Sequence, residues 1–290
     1  MHYVRERGGR IIKEDSRQDR LVGALYGSAM GRMLLKPLIS PAVSEAAGRF
    51  LDSGASRILI RPFIRSHQLN MQDYEKKDYA SYNDFFTRRL ASGARKIRTE
   101  PETFISPCDS RLSVSKIEKD SVFYLKHTCY TVRSLLRNRK LAESFAGGYA
   151  WVFRLCVEDY HRYVFVDEGQ ASRRVRIPGV FHTVNPIAND RFPIYKENTR
   201  EYSLLRSEHF GTILQMEVGA MLVGRIENRS VKKTVHRGQE KGNFAFGGST
   251  IILMTRKGAV RPDRDILENS VRGIETKVRL GEKIGTSADI

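Results

Sequence analysis

Cysteine is scarce in this chain, with three in 290 residues: Cys108, Cys129 and Cys156. They are too few and too scattered for a disulfide framework, and no CxxC or Cys/His cluster offers a zinc site. A reducing compartment and no structural metal are expected. Long apolar runs are missing too. A membrane-spanning helix needs about 18 or more uninterrupted apolar residues, and no segment approaches that. The opening stretch, MHYVRERGGRIIKEDSRQDR, lacks the apolar centre of a secretory signal. Acidic residues are in short supply: 33 against 50 Lys and Arg, a formal charge of +17. That excess suits anionic partners such as nucleic acid, acidic lipid or a phosphorylated substrate, although a solvated basic surface gives the same composition. Nucleic acid has only the charge in its favour, because no recognition motif is present and the aromatics lie in apolar strand patterns. A protein of this composition that works on lipid sits on the bilayer rather than through it.

What is present divides at about residue 100. Residues 1–100 read as helical. Leu21 to Leu35 is apolar with small residues interspersed. Ser40 and Pro41 suit the N-cap and first position of a helix running to about Leu51, with Gly54 as its end. The segment SRILIRPFIRSH sets Ile58, Leu59, Ile60, Phe63 and Ile64 among Arg57, Arg61 and Arg65. This pattern fits a helix lying on anionic lipid, and equally an amphipathic helix packed on its own domain. Ser81 with Asp84 three residues later resembles a capping box for a short helix, NDFFTRRL. Over residues 101–290, short segments rich in Val, Ile, Phe and Tyr alternate with Gly, Asp and Asn turns, as in YAWVFRLCV, TILQMEV and STIILM. TVRSLLRN is the one helix expected there, and the polar tail after Lys257 is expected to be loosely held. The fold class expected is α+β: a helical, membrane-associating N-terminal region, then a β-rich barrel- or sandwich-like catalytic domain.

The segment GQEKGNFAFGGSTIILM carries the chemistry. A Gly-Gly turn in a hairpin accounts for Gly247 and Gly248. A second reading starts from Ser249. Glycines allow a strained backbone that brings the Ser249 hydroxyl to the Gly248 carbonyl. Attack there converts the amide to an ester. Elimination then cuts the chain and leaves dehydroalanine, which hydrolyses to a pyruvoyl group.

The blocks SYNDFFTRRLASGARKI, SPCDSRL, DYHRYVF, TVNP, ENTR, VGAMLVGRI and KGNFAFGGST occur in this order. Together they resemble the phosphatidylserine decarboxylase proenzyme family from about Tyr82 to about Lys257. The resemblance implies self-cleavage between Gly248 and Ser249, giving a β chain (1–248) and an α chain (249–290) that begins with a covalent pyruvoyl group made from Ser249. It implies conversion of phosphatidylserine to phosphatidylethanolamine and carbon dioxide. A ketone-derived Schiff base with the substrate amine is the electron sink such chemistry needs. Asp109 matches an aspartate that orients a histidine beside the serine. His161 matches a histidine of the decarboxylation step, suited to protonating the carbanion. The implied partners are the lipid substrate, an anionic membrane surface on the cytoplasmic face of the cell membrane, and the two chains of one proenzyme; a homodimer is left open.

One position departs from the family pattern. The second histidine of its His-x-x-His block, the usual base for cleavage, falls at Val164. Another histidine takes over, or processing fails. His182, beside Thr183, is the substitute by eye, and His161 serving both steps is the other. Thr183 matches a serine near the substrate. Asn185, Asn198, Arg200, Gly219 and Gly224 recur in the blocks and look structural, with Arg200 also a candidate grip on the substrate carboxylate or phosphate. His127, His209 and His236 are expected at the surface. Two alternatives follow: an uncleaved, inactive membrane-binding homologue, motivated by Val164, and a decarboxylase of a free amino acid.

Overall fold

The run STIILMT is apolar at successive positions, so a strand made from it needs cover on both faces. The computed structural model describes residues 2–14, 41–125, 128–180, 194–219, 225–230, 233–247 and 249–288. In it the strand Ser249–Thr255 lies inside an eleven-stranded sheet. It is flanked on either side by Gly211–Val218 and Tyr149–Leu155, both antiparallel. Beyond the first lie Arg200–Ser207, Gly169–Ala171 and Thr234–Val235, with Val175–Ile177 also paired to Arg200–Ser207; beyond the second lie Ser110–Lys116, Glu275–Val278, His2–Glu6 and Ile11–Glu14. The sheet stays open at both ends, so the architecture is α+β with sandwich-like layers and no closed barrel.

Alternation along the strand divides the core in two. Ile251 and Leu253 join Trp151, Phe153 and Leu155 on one face. That face is covered by two three-stranded sheets, Ile226–Asn228/Glu240–Phe244/Arg162–Val164 and Val260–Pro262/Lys283–Ser287/Thr103–Ile105, through Tyr163, Phe244, Phe104 and Ile284. Ile252 and Met254 join Ala150 and Val152 on the other face, under Phe123, Tyr130, Leu135 and Leu136. Leu135 and Leu136 belong to the helix Val132–Leu136, the expected TVRSLLRN helix, capped by the Thr131 hydroxyl accepting from the Ser134 N–H at 3.1 Å.

The N-terminal helices are close to expectation. Pro41 opens the helix Pro41–Asp52, and Ser81 Oγ caps Tyr82–Phe86 by accepting from the Asp84 N–H at 3.1 Å. SRILIRPFIRSH forms a 3-10 turn, Gly54–Leu59, followed by the helix Ile60–Ser66, so Gly54 opens a turn. The segment Leu21–Leu35 lies outside the described residues.

Two regions differ from the sequence reading. The first residues are strands, not helix: His2–Glu6 pairs in parallel with Glu275–Val278. The tail after Lys257 is firmly held. It supplies two strands, the helix Arg264–Val271 and a final strand, and it buries Ile266, Val278 and Ile284. Its apolar residues are widely spaced, which hides them in the composition, but each is aimed at the core. Arg7 joins the two ends by donating to Asp263 at 2.8 Å and to Asp265 at 3.0 Å.

Candidate active site

The FAFGG segment is fixed from two sides before it reaches Ser249. Phe244 N donates to His161 O, and Ala245 N to Arg225 O, each at 3.0 Å. Phe246 N donates to Asn83 Oδ1 at 3.0 Å, while Asn83 Nδ2 donates to Asp52 Oδ1 at 2.7 Å. The Phe246 ring meets Tyr82 and Phe86 edge-on at 5.0 and 5.1 Å. The short helix Tyr82–Phe86 is therefore a clamp on the glycine turn. Gly247 has φ 135°, a conformation that side-chain-bearing residues rarely adopt. Gly248 lies outside the described residues.

Ser249 starts its strand opposite Leu155 and is fully buried. Its Oγ has no hydrogen-bond partner among the described residues, and neither has the Oγ1 of Thr250. A buried polar atom left in this state costs about 1–3 kcal/mol, so a functional reason is warranted.

His161 precedes the strand Arg162–Val164 and is also fully buried, its ring 4.2 Å from that of Phe86. Its Nδ1 lies 2.9 Å from the Asp159 carbonyl oxygen. A carbonyl can only accept, so Nδ1 carries the proton and Nε2 presents a lone pair. Nε2 has no hydrogen-bond partner of good geometry among the described residues, yet the Gly247 backbone is near enough to favour the charged ring. Burial outweighs both backbone groups and holds the His161 pKa down at about 3. The ring is neutral and preoriented beside the glycine turn.

Asp109 has a different setting. Its carboxylate accepts from Arg95 Nε at 3.1 Å, from Arg95 Nη2 at 2.6 Å and from Leu280 N at 2.8 Å. No described histidine bonds to it. Val164 N donates to the Pro107 carbonyl at 3.0 Å, which sets position 164 beside the Asp109 turn. The Val164 side chain packs with Tyr74, Tyr160 and Leu280. Where the family pattern has a histidine the chain has an apolar contact, and Arg95 holds the aspartate. Asp159, just before His161, is clamped by Arg111 Nη1 and Cys156 N, each at 2.7 Å. Burial lifts its pKa to about 7, against the pull of Arg111.

Arg200 is fully buried and donates to four backbone carbonyls, those of Leu135, Ser134, Lys196 and Asn198, at 2.8–3.0 Å. Desolvation lowers its pKa to about 10. With its donors spent on the backbone, it serves as a structural pin. His182, Thr183, Asn185, Gly224 and His127 lie outside the described residues. His209 is partly buried rather than at the surface, with Nδ1 3.0 Å from Asp167 Oδ1. Sequence reasoning assigned no role to Asn83, Phe86, Arg95 or Asp159. The first three stand in the SYNDFFTRRLASGARKI block, but residue type alone did not mark them.

The family profile described as phosphatidylserine decarboxylase matches residues 82–286. Phosphatidylserine decarboxylase proenzyme 2 of Clostridium acetobutylicum is 46% identical over 266 residues, covering 91% of each chain. The phosphatidylserine decarboxylase proenzymes of Clostridium tetani and Clostridium novyi are 42% and 39% identical, each over 92% of this chain and 92% and 93% of their own. The match takes in the Tyr82–Phe86 clamp, the Asp109 turn, His161 and Ser249, and the chain belongs to the phosphatidylserine decarboxylase family.

Proposed function

We propose that the protein is a self-processing decarboxylase of phosphatidylserine, with His161 as the base of its own cleavage. The observation that carries this reading is the pair of buried atoms without a hydrogen-bond partner among the described residues, Ser249 Oγ and His161 Nε2, with the His161 ring near the Gly247 backbone. Ser249 gives its hydroxyl proton to His161, and Oγ attacks the Gly248 carbonyl carbon. The Gly248–Ser249 C–N bond breaks as the nitrogen takes a proton, leaving an ester. Loss of the Ser249 Cα proton then breaks the Cβ–Oγ bond and frees the Gly248 carboxylate. The remaining enamine tautomerises, and water replaces its nitrogen as ammonia.

A ketone at position 249 supplies the electron sink for the carbanion left by carbon dioxide. The position suits it: buried, without a hydrogen-bond partner among the described residues, and first in a strand held on both sides. Around it the chain's own residues exclude water and fix the turn, and His161 holds a free acceptor nitrogen. Asp109 and Arg95 act together as an anchored ion pair under the site.

Membrane contact fits the N-terminal helices. Ile58 is 76% exposed and Phe50 51%, with Val43 and Leu59 also open and the Arg57, Arg61 and Arg65 side chains beside them. Large exposed apolar residues among arginines suit a peripheral seat on an anionic bilayer, on the cytoplasmic face. No described helix is long and apolar enough to cross a membrane.

Mass spectrometry of the purified protein tests the reading. The expected result is two chains, 1–248 and 249–290, the second without a free amino terminus, and a single chain for Ser249→Ala. An intact wild type after long incubation would reject it in favour of an uncleaved homologue.

A further inference from the structure

A cleft of about 640 Å³ opens between the sheet edge at Ala171–Arg174 and the strand end at Asn228–Ser230. That volume is in the range of small-ligand sites. None of Ser249, His161 or Asp109 lines it. Five cations do: Arg173, Arg174, Arg229, Lys233 and Lys241. Two are matched by carboxylates. Lys241 is fully buried and pairs with Glu217, and Arg229 Nε donates to Glu240 at 2.8 Å. Three of the five remain. Arg174 spends one donor on the Asn228 carbonyl at 2.9 Å, and Arg173 and Lys233 have no acidic partner among the described residues. Ser203 also lines the cleft. It is only 4% exposed.

Three uncompensated cations converging on one cleft repel one another, and an anion relieves that repulsion. Two guanidinium groups supply planar forks that match phosphate oxygens, the lysine adds a point charge, and a buried hydroxyl adds a fixed donor. We infer that this cleft binds a phosphate-bearing anion, held by Arg173, Arg174 and Lys233 over the Ser203 hydroxyl. The chemistry is shared by a free phosphorylated metabolite and by an anionic phospholipid headgroup.

Calorimetric titration of the full chain with inorganic pyrophosphate at about 150 mM salt tests the site, because that ionic strength screens diffuse surface attraction. Saturable binding near one equivalent is expected. Arg173→Ala/Lys233→Ala should weaken it about tenfold or more, as loss of two charge-assisted contacts implies. Arg264→Ala, which removes a highly exposed cation elsewhere, should leave it unchanged. Both arginines and Lys233 are exposed, so these variants should fold, with self-cleavage as the check. Competition by phosphatidylcholine vesicles doped with phosphatidylglycerol would assign the ligand as a headgroup. Its absence would assign a soluble phosphate, and either result retains the site. No saturable binding, or equal affinity in the double variant and wild type, would overturn it.

Discussion

Asp109 and His161 lie in neighbouring parts of one core, and their surroundings are opposite. Asp109 is saturated: two Arg95 nitrogens and the Leu280 N–H converge on its two oxygens. His161 has one nitrogen tied to a carbonyl and the other without a hydrogen-bond partner of good geometry among the described residues. A side chain whose hydrogen-bonding capacity is fully used has little left for a reacting group, while one held in place with a free lone pair is ready to accept a proton. The family resemblance implies an aspartate that orients a histidine. On the proposed reading, the contacts suit Asp109 to an anchor and His161 to a base.

The largest expected effect is on the base. His161→Gln keeps a polar side chain of similar size and removes the proton acceptor. Cleavage followed by gel time course should slow by about 10²–10⁴-fold, the usual contribution of a positioned general base. Cleavage at the wild-type rate would move the base elsewhere, with His182 the first place to look; His182→Ala is then the deciding variant.

The anchor should behave differently. Asp109→Asn leaves Arg95 with a neutral partner and only the longer contact to Asp73 at 3.4 Å, in a nearly closed site where the Arg95 and Asp109 side chains are both 11% exposed. Breaking one side of such a pair costs about 3–5 kcal/mol. Stability measured in the Ser249→Ala background should fall by that order, with a smaller effect on cleavage in the variant that still folds. Loss of cleavage at unchanged stability would give Asp109 a direct chemical role. The clamp comes next. Asn83→Ala strands the Phe246 N–H, a loss of about 1–3 kcal/mol, and should slow cleavage by loosening the turn.

The pH response sharpens the comparison further. His161 stays neutral in the folded chain down to about pH 3, whereas an unfolded histidine protonates near 6.5. Between those values the unfolded state binds more protons, so this group lowers stability as pH falls through that window. Asp159 acts in the opposite sense. Its folded pKa of about 7 lies above the unfolded value near 3.8, so its contribution is present at low pH and is lost as pH rises toward 7. His161→Gln should remove the first slope and leave the second, as denaturant unfolding of uncleaved protein at pH 5 and pH 7 would show. Cleavage itself should hold its rate from pH 8 to pH 5, because the base is already deprotonated; a fall centred near 6.5 would indicate a less buried histidine.

Much of this was legible in the sequence. The strand STIILMT, the Ser81 cap, the Val132–Leu136 helix and the ordered blocks around Ser249 are local signals, set by neighbours a few residues apart. The rest depends on long-range pairing. The first strand joins Glu275–Val278 across most of the chain, Arg7 reaches Asp263 and Asp265, and Asn83 reaches Phe246. A polar tail with Ile266, Val278 and Ile284 widely spaced carries no local sign that it closes a core. Arg95 on Asp109 was equally hidden, because nothing in an arginine fourteen residues away marks it as the partner of that carboxylate.

Val164→His is the substitution with the smallest expected effect on cleavage, and it tests the comparison from the other side. The family pattern makes position 164 the seat of the cleavage base, so restoring histidine would be expected to speed processing. The surroundings argue otherwise. Val164 is 6% exposed and packs on Tyr74, Tyr160 and Leu280, and Arg95 already occupies the carboxylate that would orient a new ring. An imidazole there enters an apolar cluster without an assured partner, at about 1–3 kcal/mol of stability. Cleavage should stay within a few-fold of wild type as long as His161 is intact. The informative background is His161→Gln: if Val164→His restores cleavage there, position 164 faces Ser249 and Asp109 can leave Arg95 to serve it. If it does not, the anchor and the base are separate devices in this chain, and valine at 164 is part of the anchor's apolar cover.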